Sequence, residues 1–110
     1  MMLFNEIIEQ CAGMPVMEKR VSSPDYVEWV IYKEDLEQWD RALSNIFGPA
    51  VKSNKEKAAP GDFALTEKFG GVEDDQTLYR KVFDDGIVIT MLWPWQNNLN
   101  ITIKFALIKS

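Results

Sequence analysis

Hydrophobic positions in this chain recur at the helical period near its start and alternate by two near its end. Leu3, Phe4, Ile7, Ile8 and Cys11 fall on one stripe of a helix over Met2–Ala12. Gly13 and Pro15 stop that helix. A helix of about three turns is marginal alone in water, so its stripe needs a surface to pack on. The stretch 14–25 has no period and ends in the turn cluster Ser22-Ser23-Pro24-Asp25. Tyr26–Tyr32 then alternates as a strand, with Val27, Trp29 and Ile31 on one face and Tyr26, Glu28, Val30 and Tyr32 on the other.

A second helix is predicted over Glu34–Phe47, with Leu36, Trp39, Leu43, Ile46 and Phe47 on one side. Acidic residues in its first turn suit the helix dipole, Asp35 and Gln38 have the spacing of a capping box, and Gly48-Pro49 ends the helix. The Lys-rich stretch 50–61 reads as a flexible loop. A short helix over Phe63–Phe69, capped by Asp62, precedes Gly70-Gly71.

Three strands close the chain as a meander: Gln76–Phe83, Ile87–Trp93 and Leu99–Ile108, the first two joined by a three-residue loop, Asp84-Asp85-Gly86. In the last strand Leu99, Ile101, Ile103, Phe105 and Leu107 face one way, the pattern of a half-buried strand. The middle strand carries apolar residues on both faces, Val88 and Leu92 opposite Ile87, Ile89 and Met91, which predicts an interior position. The expected fold is a single α+β domain spanning 1–110. It has an antiparallel sheet of about four strands, one N-terminal plus the C-terminal meander. Two main helices pack on one face, with a short third helix besides.

Composition narrows the chemistry. The chain has 110 residues, no histidine, one cysteine and a net charge of −5. Without histidine, Ser-His-Asp and Cys-His catalysis and His-ligated zinc sites are ruled out, and one cysteine cannot make a four-cysteine site or an internal disulfide. The acidic balance argues against nucleic acid, whose binding calls for clustered Lys and Arg. No signal peptide is read at the N-terminus, where Glu6 and Glu9 interrupt the apolar stretch and give the helix the wrong sign for anionic lipid. No membrane association and a cytoplasmic location are the expectations, with no cofactor and no catalytic residue assigned.

Five carboxylates lie between Glu73 and Asp85, but in two groups at opposite ends of a strand. Eight strand residues span about 26 Å, too far for one acid–base pair. Cys11 sits on an apolar stripe and reads as a small buried hydrophobe. Trp93-Pro94-Trp95 is the densest aromatic feature. Pro94 ends its strand, its peptide bond trans or, less commonly, cis. Trp93 continues the Ile87 face into the core, while Trp95 is left without a face.

These readings lead to a small non-enzymatic interaction protein. Self-association is the first expectation, through the Trp95 end or through a second sheet face formed by Tyr26 and Tyr32 together with Val88 and Leu92. The first alternative is an acidic module, such as an immunity protein or secretion chaperone, that masks a basic partner with Glu34, Asp35, Glu37 and Asp40. The second is a small-ligand pocket lined by Tyr26, Trp29, Tyr32, Trp39 and Tyr79.

Overall fold

The computed structural model describes residues 3–53, 56–57, 60–73 and 75–109. Met2 of the first expected helix, four positions of the expected 50–61 loop (54, 55, 58 and 59) and Asp74 of the carboxylate group lie outside them. The architecture is α+β: a five-stranded antiparallel sheet with three α-helices. In chain order the elements are α1 (Phe4–Cys11), β1 (Glu18–Ser22), β2 (Tyr26–Tyr32), α2 (Leu36–Phe47), α3 (Pro60–Thr66), β3 (Thr77–Phe83), β4 (Gly86–Pro94) and β5 (Asn100–Ile108). Short 3-10 turns, Lys33–Asp35 and Glu67–Phe69, lead into α2 and out of α3. The strand order is β1-β2-β5-β4-β3, so β5 lies in the middle and β4 beside it.

β1 is an additional strand that the sequence pattern does not reveal. All five of its residues are exposed, so no burial period marks them. It pairs with β2 through a register shift between Lys19 and Val21, which makes it a bulged edge. The capping box expected at Asp35 does not form; its side chain makes no cap hydrogen bond, and the 3-10 turn leads the chain into α2 instead. The β3–β4 hairpin is tighter than expected, with Phe83 directly opposite Gly86 and only Asp84-Asp85 in the turn. The stretch after α2 is not all loop, because Lys52 bridges Leu78 and is buried.

Cross-strand partners in a sheet share a face, and the register therefore sorts the core. α1 and α2 cover the face formed by Val27, Trp29 and Ile31 of β2, Ile101, Ile103, Phe105 and Leu107 of β5, Val88 and Leu92 of β4, and Tyr79 and Phe83 of β3. The opposite face holds a smaller cluster, Leu78, Ile89, Met91 and Ala106, beneath Leu65, Phe69 and Val72. Both sides of the sheet are thus covered by the chain itself. The Asp84-Asp85 turn has a structural use: Asp85 Oδ2 accepts a hydrogen bond from the Phe4 backbone N–H at 3.1 Å, placing an anion at the α1 N-terminus.

Candidate functional site

Tyr26, Tyr32, Val88 and Leu92, expected on one sheet face, are separated by the register. Leu92 lies directly opposite Ile103, and Val88 opposite Leu107, so both sit under the helices, 4 % and 0 % exposed. Alternation had shown that Val88 and Leu92 oppose Ile87, Ile89 and Met91, but only the pairing with β5 decides which set meets α1 and α2. Tyr26 does lie on the second face, where it stacks on Phe69 with ring centroids 5.7 Å apart and donates to Glu28 Oε1 at 2.8 Å. Burial first, and then the Glu28 carboxylate, raise its hydroxyl pKa.

Trp93 and Trp95 complete the cover of this face. Trp93 approaches Gly70 so closely that a Cβ there would stand 2.5 Å from its ring, and Gly70 also has φ +103°. Lys104 Nζ lies 3.4 Å from the Trp93 ring centroid and donates to the Phe69 carbonyl at 3.1 Å. Burial lowers the Lys104 pKa, and Glu28, directly opposite on β2, pulls it partly back. Trp95 gains the face it lacked: its Nε1–H donates to Thr102 Oγ1 at 2.7 Å, and the Arg20 guanidinium lies 5.2 Å from its ring centroid. The Trp93–Pro94 bond is trans.

Two exposed apolar side chains stand together elsewhere, at the end where β2 runs into α2 and the β4–β5 loop returns. Tyr32 is 46 % exposed and Leu99 67 %. Alternation places Leu99 on the core face of the last strand, but it precedes β5 and is exposed. The loop is held in shape by Asn97, whose Oδ1 accepts from the N–H groups of Leu99 at 2.9 Å and Asn100 at 3.2 Å. The Lys33 N–H donates to the Leu99 carbonyl at 2.8 Å, and its ammonium meets Asn98 Oδ1. These bonds fix Leu99 beside Tyr32 in a shallow groove of about 610 Å³.

A second groove of about 580 Å³ shares Lys33 and Glu34 with the first. Its floor is Leu36, Ala50 and Leu92, and its rim carries Glu34, Glu37 and Asp40. Asp40 receives the buried Tyr79 hydroxyl. Glu37 meets Arg41 at 3.6 Å, an exposed pair worth little. Leu92 is therefore the one residue of the Val88–Leu92 pair that reaches a groove. The signal in the sequence was the acidic run at the start of α2 beside Tyr32; what it lacked was the position of Leu99.

The five aromatics of the expected ligand pocket do not line one pocket. Trp29, Trp39 and Tyr79 are core residues, Tyr26 is on the second face and Tyr32 is at the exposed end. Among the described residues no three Cys, Asp or Glu side chains converge into a set that could hold a metal ion, and no helix is long and apolar enough to cross a membrane.

Burial pushes the Cys11 thiol from 9.0 up to about 11. A pKa raised on folding adds stability that is full below pH 9 and is lost as pH climbs through 11; two units correspond to about 2–3 kcal/mol. Urea unfolding at pH 8 and pH 11 should therefore show a steeper alkaline loss in the wild type than in Cys11→Ala. Equal slopes would remove Cys11 as the cause. No protein family, curated protein or solved structure matches the chain.

Proposed function

We propose that this is a non-enzymatic, cytoplasmic binding protein that docks a basic protein surface with the Tyr32–Leu99 end and the adjoining carboxylates of α2. The observation that carries this reading is the union of two features in neighbouring grooves. Two large apolar side chains stand exposed at a loop pinned by hydrogen bonds, and Glu34, Glu37 and Asp40 rim the groove next to them. Apolar anchors ringed by charge are how protein interfaces combine affinity with orientation. The pinned loop lowers the entropy lost on binding. The acidic balance of the chain favours a basic partner over an acidic one.

Affinity capture from a native lysate, run at about 0.05 M and about 0.5 M salt, tests the reading. A basic protein should be retained at low salt and released at high salt. Glu34→Lys/Glu37→Lys and Leu99→Ser should each weaken its retention by about tenfold or more, with unchanged circular dichroism. A set of captured proteins identical for wild type and both variants overturns the proposal.

A further inference from the structure

We infer that the chain pairs with a second copy of itself along the outer edge of β3, about a twofold axis at Val82. The backbone supplies the first reason. On the outer side of β3, Leu78 donates its N–H to the Lys52 carbonyl at 2.9 Å and accepts from Val51 N–H at 2.9 Å. Alternate residues of a strand direct these groups to the same side. Arg80 and Val82 therefore also aim N–H and C=O outward, and no group among the described residues bonds them. An open edge of this kind is a template for another strand. The sheet's opposite edge, β1, is interrupted by its bulge between Lys19 and Val21.

The side chains select the occupant and the register. Antiparallel self-pairing centred on Arg80 or Lys81 would set like charges directly opposite one another, which is unfavourable. Centring on Val82 removes the conflict. Val82, an apolar residue left 63 % exposed on this edge, then meets Val82 of the partner subunit. Lys81 meets Phe83 of the partner subunit, and Lys81 Nζ already lies 5.7 Å from the Phe83 ring centroid within its own chain. Arg80 meets Asp84 of the partner subunit. One Arg80 nitrogen is committed to Asp62 at 2.9 Å, but a guanidinium has further donors for a second carboxylate. A groove of about 450 Å³, lined in part by Leu65, Val82 and Ile87, flanks the axis. Pairing joins two five-stranded sheets into one of ten strands.

Sedimentation velocity from about 1 to about 100 μM, a range that covers the weak constants of small interfaces, tests the pairing. The wild type should sediment as a dimer at the upper end. Val82→Pro removes an N–H that faces outward and takes no part in the β3–β4 ladder, and edge strands tolerate proline there. Asp84→Arg sets an arginine against Arg80 of the partner subunit from a turn position, so it tests the register even if Val82→Pro fails to fold. Each variant should raise the dissociation constant at least about tenfold with an unchanged circular dichroism spectrum. A monomeric wild type at about 100 μM, or a dimer that folded variants leave intact, overturns the inference. An edge that takes an unrelated acidic peptide in preference to a second copy appears as the monomer outcome.

Discussion

Trp39→Ala should cost about 3–5 kcal/mol, the largest loss expected from a single side chain in this protein. Trp39 is fully buried on α2, its ring edge-on to Trp29 at a centroid distance of 6.2 Å. Its Nε1–H donates to the Pro15 carbonyl at 2.9 Å, which ties the segment between α1 and β1 to α2. Truncation opens a cavity between helix and sheet and also strips that carbonyl of its donor. Trp39→Phe separates the two effects: it keeps most of the apolar volume and loses the hydrogen bond, at about 1–2 kcal/mol. Against a total stability of roughly 5–15 kcal/mol for a domain, the alanine variant's loss is about a fifth of it at the upper end and nearly all of it at the lower. Chemical denaturation checks both values; a Trp39→Ala loss below that of Trp39→Phe would refute the cavity argument.

Gly86→Ala comes second, through the backbone. Gly86 has φ +144°, and a Cβ there would stand 2.4 Å from the Ile108 carbonyl oxygen. Relief requires moving that carbonyl, and Ile108 is paired with Ile87 in the β4–β5 ladder. Backbone strain and overpacking together should cost about 2–5 kcal/mol. That lowers the thermal midpoint by on the order of 10–20 °C. Gly61→Ala is the control of opposite sign. It lies in α3 with nothing within 4 Å of its added methyl, so it should stabilise by about 0.5–1 kcal/mol. Equal effects at the two glycines would remove the steric explanation.

Much of this fold was legible in the pattern because the large apolar side chains of β2 and β5 alternate, even though β5 is buried on both faces, with Thr102 and Ala106 covered as well and not on the wet side that alternation implies. Ile101, Ile103, Phe105 and Leu107 could only be read as the face of a strand toward a core, and the α2 stripe around Trp39 and Leu43 could only be a helix on that core. Two things were not legible. β1 escaped because an exposed, bulged edge strand has no buried face to imprint a period on its residues. The face of β4 escaped because period two fixes which residues oppose one another but not which set lies under the helices; that choice rests on long-range pairing with β5. The candidate site was half visible for the same reason. The carboxylates of α2 and Tyr32 stand together in the sequence, whereas Leu99 reaches them only through a hydrogen bond from Lys33 to its carbonyl, across 66 residues of chain.

The central position of β5 also has a consequence for synthesis. β2 pairs with β5 from Tyr26↔Ala106 to Tyr32↔Asn100, and β4 takes β5's other side. A nascent chain that has emerged only as far as Trp95 can form the β1–β2 and β3–β4 pairs, but it lacks the strand that joins them, and the helices have no complete sheet to close against. Loop closure over such sequence distances slows folding. Completion of this core therefore waits on β5, and until it emerges the apolar faces of α1 and α2 are open to chaperones.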